Sequence, residues 1–200
     1  MIAASAGPID TERLRLEPLV ERDLAEVHAI YADPDTWRHL PSGRHLDAAT
    51  TAAMLERSAR SWRAAGVGTW VVRRNDAEAR RLGASAATVL GTAAATAIDG
   101  GMLNLGYRFA PAAWGSGYAS EAAAAVLAAA GEAAPARTLT ARVLVGNPAS
   151  IRVLERLGLE LRWSGGGTGG GSTGAAALER RIYADRALDD EQLRALIALG

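Results

Sequence analysis

The chain has no cysteine. That absence excludes disulfides, thiolate metal ligands and a thiol acyl-enzyme. It has no lysine either, since all 22 of its Lys-plus-Arg residues are arginine. A Walker-type phosphate loop, whose glycines are followed by Lys, is therefore excluded. The longest strongly apolar run, residues 122–131, has charge on both sides and is too short to span a bilayer. The N-terminus lacks a basic region followed by an apolar core, so no signal peptide is read there. Acidic and basic residues balance at 22 each, which gives no electrostatic case for nucleic acid or a membrane as partner. These absences lead us to expect a cytoplasmic enzyme or binding protein. The excess of Arg, Ala and Gly hints at a GC-rich bacterial genome.

What is present suits a single domain over residues 1–200, because 49% of the chain is hydrophobic and can form a sizeable core. Residues 11–19 alternate Leu14, Leu16 and Leu19 among charges and predict a first strand. Leu24, Val27, Ile30 and Tyr31 recur at helical spacing over 21–32, and Pro34 stops that helix. Asp47 caps a second helix running to about residue 65. Residues 69–73, 86–98 and 102–109 read as successive strands joined by turns such as Asn75-Asp76. A helix over 118–134, a strand over 138–145 and a helix over 148–157 follow, the last begun by Asn147 and ended by Gly158. The tail holds a glycine-rich stretch at 165–174, a strand at 180–185 and a terminal helix over 189–199. The order predicts a mixed α/β fold with a core over 11–186.

Between a predicted strand and the Ala-rich helix lies Pro111-Ala-Ala-Trp114-Gly115-Ser116-Gly117-Tyr118-Ala119-Ser-Glu121. Two glycines let the backbone turn tightly, and the helix start beyond them offers free amides at its positive end. Such a turn can hold a phosphate, or it can simply join a strand to a helix. The Rossmann pattern does not fit, because Ser120 stands where a third Gly or Ala is needed.

Taken with Asn147-x-x-Ser150-x-x-Val153-Leu154-Glu155-x-Leu157-Gly158 further on, this segment resembles the GCN5-related N-acetyltransferases (GNAT). Within them the pattern is most similar to the RimJ/RimL type, over roughly residues 11–163. The resemblance implies the GNAT fold: a central, mostly antiparallel sheet, helices on both faces, and splayed strands forming an acyl-CoA cleft. It also implies acetyl-CoA as co-substrate, with its pyrophosphate on amides of Trp114, Gly115, Ser116, Gly117, Tyr118 and Ala119. The pantetheine arm would pass where the strand ending at Phe109 splays from its neighbour. The family usually has Gln or Arg three residues before the first glycine; here Ala112 stands there.

The resemblance makes Ser150 a proton donor to the departing sulfur, and Tyr107, on the strand beside the expected thioester, can be a wall of the site or part of the core. Asn147 is fully explained as a helix N-cap, and the family adds a hydrogen bond to the cofactor arm. Arg152 can meet a cofactor phosphate or stand solvated. Trp114 suits a packing wedge beside the glycines. Glu121 matches the helix dipole and is left outside the catalytic set. His28 falls near the apolar face of its helix, and none of the three histidines has a spacing that marks a base. Late carboxylates are missing between Glu160 and Glu179. No metal is expected. Amine attack on the thioester in a ternary complex is the economical mechanism, with backbone amides near 107–109 steadying the oxyanion. The acceptor would be the α-amine of a protein N-terminus or a small-molecule amine, and the enzyme a monomer or homodimer. Two other readings stand: an antibiotic- or polyamine-type acetyltransferase, and a degenerate acyl-CoA-binding module.

Overall fold

A computed structural model describes residues 7–166 and 178–199. The strands are β1 (Ile9–Asp10), β2 (Leu14–Pro18), β3 (Thr69–Arg74), β4 (Val89–Ile98), β5 (Met102–Phe109), β6 (Thr138–Leu144), β7 (Glu160–Gly166) and β8 (Glu179–Ala184). The helices are α1 (Leu24–Ala32), α2 (Ala48–Ala65), α3 (Asp76–Leu82), α4 (Tyr118–Ala133), α5 (Pro148–Arg156) and α6 (Asp190–Ala198). All eight strands form one sheet in the order β1-β2-β3-β4-β5-β6-β8-β7. Every pairing is antiparallel except β5 with β6.

Both faces of the sheet are covered, which explains why β3 reads as a nearly continuous apolar run instead of alternating. Trp70 and Val72 pack with Leu14, Leu16, Tyr118, Ala122 and Val126. Between them Val71 turns to the opposite face, where Val27, Ile30 and Val89 lie. Ala122, Ala123 and Val126 of α4 are fully buried, so small side chains let this helix sit close on the sheet. A third cluster joins Met102 and Ile182 to Leu196 of α6.

The late strand β8 pairs with its predecessor β7 and also with β6, inserting between the two. Asp47 caps α2 as its sequence position suggests, accepting from the Thr50 amide at 2.8 Å. Asn75-Asp76 is not a simple turn. Asn75 Oδ1 accepts from the Glu78 amide at 2.9 Å and starts α3, which ends at left-handed Gly83. That extra helix delays β4 to Val89, three residues beyond the expected start. The predicted glycine-rich loop lies outside the described residues from 167 onward. Among the described residues, no helix is long and apolar enough to cross a membrane.

The feature that positions a site is the β5–β6 junction. These parallel strands pair only over Met102–Asn104 with Thr138–Thr140. Past Asn104, β5 continues to Phe109 bonded to β4 alone, while β6 continues to Leu144 bonded to β8. The sheet opens into a V between them.

Candidate active site

The V leads into a cleft of about 1330 Å³ walled by β4, β5, β6, α2, α5 and the segment after α1. Leu105, Tyr107, Phe109, Val143 and Ser150 are among its lining residues. At the mouth of the V, β5 passes through one short turn of 3-10 helix (Pro111–Ala113) to the glycine turn. Gly115 and Gly117 have φ of 75° and 80°, the left-handed region where a side chain is strained. The first α4 bond is from the Glu121 amide to the Gly117 carbonyl, at 3.1 Å. The amides of residues 118–120 therefore have no partner within the helix and face outward at its positive end. This is an anion-binding geometry made of backbone.

Arg13, which the sequence did not single out, braces that turn. Its Nη1 donates to the Ser116 carbonyl at 2.8 Å, and its Nη2 pairs with Glu121 Oε2 at 2.7 Å. The Glu121 carboxylate also accepts from Thr11 Oγ1 at 2.6 Å and the Arg13 amide at 2.9 Å. A carboxylate one turn into α4 would repel a phosphate; here a guanidinium neutralises it. Tyr118 is buried, with its hydroxyl donating to Glu78 Oε1 at 2.8 Å and Arg13 5.0 Å from its ring centroid. Only its backbone amide is free for a ligand.

Trp114 is not the buried wedge expected from its place beside the glycines. It is 43% exposed, its Nε1 donates to the Phe109 carbonyl at 2.8 Å, and Arg38 stacks on it at 5.3 Å. The indole clips the end of β5 to the turn and lines the cleft, as does Ala119.

Across the V, Asn147 Oδ1 accepts from the Ser150 amide at 3.1 Å, the helix-capping role in full. Tyr107 reaches over from β5 and donates to the Ser150 carbonyl at 3.3 Å. Burial pushes the Tyr107 phenol up to about 12, so it stays protonated at neutral pH. Ser150 lines the cleft, and among the described residues its hydroxyl has no hydrogen-bond partner. Arg152 is exposed on α5, outside the cleft lining.

The opposite wall holds a group that sequence reading missed. Alternate residues of a strand face opposite sides, so Arg108 points toward α1 and α2 while Tyr107 points toward α5. Arg108 lies over Trp37 at 3.3 Å from its centroid and near Tyr31 at 5.4 Å, and Nη1 donates to the Thr36 carbonyl. Trp37 Nε1 donates to the Tyr31 carbonyl at 2.6 Å, and the Tyr31 hydroxyl lies 2.8 Å from Thr92 Oγ1. The histidines behind this frame are committed: Nδ1 of His28 and of His45 each lie 2.9 Å from Thr51 Oγ1. One hydroxyl has one proton to give, so at most one of these rings accepts it. Burial, then the charges of Arg108 and Arg57, hold His45 below its ordinary pKa. His39 is the histidine that lines the cleft, alongside the carboxylates Asp35 and Asp99. No cluster of three metal-ligating side chains occurs among the described residues.

The chain is similar to known proteins of one kind. Residues 13–160 match the family model described as an acetyltransferase (GNAT) domain. The uncharacterized protein YkkB of Bacillus subtilis (strain 168) is 30% identical over 150 residues, covering 74% of this chain and 83% of YkkB. Among solved structures, a GNAT-family acetyltransferase from Bacillus anthracis superposes with a TM-score of 0.69 at 21% identity, covering 88% of this chain and 96% of its own. RimL, a ribosomal L7/L12 α-N-protein acetyltransferase solved with coenzyme A, gives 0.69 at 15% identity with the same coverages. With the family model spanning most of its length, the open β5–β6 sheet and the glycine turn at its mouth are those of an acyltransferase: the chain belongs to the GNAT acetyltransferase family.

Proposed function

We propose that this protein transfers the acetyl group of acetyl-CoA to a primary amine by direct attack, acting in the cytoplasm as one GNAT unit. The observation that carries the reading is the V between β5 and β6, with amides of the glycine turn at its mouth and the Ser150 hydroxyl unclaimed within it. The unpaired edge of β5 beyond Asn104 offers main-chain groups to an extended pantetheine arm, as a sheet edge does to an added strand. The amides at 115–119 suit its pyrophosphate, with Arg13 holding the turn in shape. Asn147 holds the start of α5, so the Ser150 hydroxyl keeps its aim.

Acetyl-CoA supplies a thioester carbonyl and a thiol leaving group. The chain's own residues do the rest. Amides of β5 near Tyr107 steady the negative charge that develops on the carbonyl oxygen. Ser150 Oγ donates a proton to the sulfur as it leaves. The attacking nitrogen sheds the proton it must lose, and water relays it back to the serine, leaving amide, free thiol and Ser150 as it began. A thiol has a pKa near 8.5, so this assistance is useful without dominating the barrier. Tyr107, protonated, fixes the Ser150 backbone. An α-amine with a pKa of about 7.7–8.0 is already partly neutral at cellular pH and suits this site better than a lysine ε-amine near 10.4. RimL, a structural neighbour, acts on such an α-amine.

Calorimetry with acetyl-CoA, followed by thiol release over a panel of amines and peptides, tests the reading. Binding at the micromolar level and thiol release with an acceptor are expected. Binding with no release across a broad panel would make the protein an acyl-CoA-binding module instead.

A further inference from the structure

The side of the cleft formed by α2 and the outer part of β5 is positively charged. Arg57 and Arg60 of α2 and Arg108 of β5 line it, and among the described residues none of the three has a carboxylate partner. Of the two acidic side chains in the lining, Asp35 is already engaged by Arg38 at 3.3 Å, which leaves Asp99. Arg108 is the informative member. It is held flat by Trp37 and by the Thr36 carbonyl, so its orientation is fixed before any ligand arrives. A guanidinium has five donors, and here one is used on protein. Burial lowers its pKa from the ordinary value, which means its hydration is already partly stripped. A desolvated, pre-oriented cation without a counter-charge is costly to keep. An oxyanion arriving from solvent would complete it, in the two-pronged geometry that guanidinium favours.

The cofactor's own phosphates are not that oxyanion. The glycine turn feeds α4, which packs with Leu14, Leu16 and Trp70 on one face of the sheet. Arg108 faces α1 and α2 on the other, beside Tyr31, whose neighbours Val27, Ile30 and Val71 form the second core cluster. Arg57 of α2 and Arg108 of β5 line this same cleft, so one bound anion has both cations on its walls.

Resting on the acetyltransferase reading, we infer that the acceptor is an anionic amine, a primary amine whose molecule carries a carboxylate or phosphate that docks on Arg108 with Arg57. Polycationic acceptors, the polyamines and aminoglycosides, meet repulsion in the same place.

The test uses matched acceptors that differ only in charge. One arm compares a peptide beginning with Asp against the same peptide beginning with Asn; the other compares O-phosphoethanolamine with ethanolamine. We expect kcat/KM for the anionic member to exceed that of its neutral partner by about tenfold or more in at least one arm, which also identifies the oxyanion. Arg108→Gln should abolish that ratio with acetyl-CoA affinity retained. Arg57→Gln, on the exposed face of α2, should shrink the ratio even where the Arg108 variant folds poorly. Equal turnover of both members, faster turnover of spermidine, or a ratio unchanged in both variants would overturn the inference. Acetyl-CoA binding without turnover of any acceptor would also overturn it while leaving the cofactor site standing. Failure to bind acetyl-CoA would remove both.

Discussion

Arg13 donates from Nη1 to the Ser116 carbonyl at 2.8 Å, joining the first strands of the sheet to the turn that begins α4. The same guanidinium is paired with Glu121, so one side chain both shapes the turn and cancels a negative charge beside it. Sequence separation hides the link, since the two ends lie 103 residues apart.

Arg13→Met should therefore act on the cofactor more than on the fold. Methionine keeps an apolar stem over Tyr118, while the Ser116 carbonyl loses its donor and Glu121 its counter-charge. The pair is partly solvated, so the loss is smaller than for a buried one, and a fall in acetyl-CoA affinity of about tenfold is expected. Calorimetry checks it. A variant with wild-type affinity would confine Arg13 to a structural role.

Gly117→Val should be more severe. Its φ of +80° is one that a β-branched residue rarely adopts, and a Cβ there would sit 3.4 Å from Arg13 Nη2. Gly115→Ala, at +75° with open space around its Cβ, meets only the backbone penalty. We expect acetyl-CoA binding to be lost in the valine variant and merely weakened in the alanine variant. Equal affinities in both would remove steric contact with Arg13 from the explanation.

How much of this was legible in the sequence depends on how local each signal is. Asp47, Asn147 and the glycines act on backbone within a few residues, and their roles as cap or turn could be read directly. Asn75 carried the same kind of signal for α3, but its pairing with Asp76 looked like a turn because the helix is only seven residues long. Trp114 stands exposed where a packing wedge was expected, and Tyr118 is the buried ring, since flanking glycines do not say which ring meets the core. Arg108 gave no sign at all. Its meaning comes from Tyr31 and Trp37, brought to it by the fold from more than 70 residues away.

Glu78 makes acid sensitivity predictable. The Arg81 guanidinium, with Nε at 2.7 Å, and then the Tyr118 hydroxyl hold its carboxylate down to about 2, from an ordinary 4.5. A depressed carboxylate pKa means that the unfolded chain takes up the proton first as pH falls. The stability Glu78 contributes is thus complete above pH 4.5 and drains away toward pH 2. Melting temperatures across that range should fall more steeply for the native protein than for Glu78→Gln. Parallel curves would show that the Glu78–Arg81–Tyr118 group does not set the acid limb.

Ser150 and Tyr107 touch through a backbone carbonyl, not through the serine hydroxyl, and this separates their roles. If Ser150 Oγ protonates the leaving sulfur, Ser150→Ala should lower the chemical rate by about 10²-fold or somewhat less, with acetyl-CoA affinity little changed. Tyr107→Phe removes only the donor to the Ser150 carbonyl and leaves the hydroxyl in place. Its effect on rate should be smaller, about severalfold, and should come through the aim of Ser150. Combined, the two changes should cost no more than Ser150→Ala alone, because a helix start has nothing to aim once the hydroxyl is gone. The Tyr107 phenol supplies a second readout. With a folded pKa near 12 against an ordinary 10, it stabilises the protein below pH 10, and that contribution is lost as pH rises toward 12. Tyr107→Phe should flatten this alkaline limb whatever it does to the rate. Single-turnover thiol release, where chemistry limits, measures the rates. Wild-type speed in Ser150→Ala would reduce that residue to the first turn of α5, and additive losses in the double variant would give Tyr107 a role of its own in the reaction.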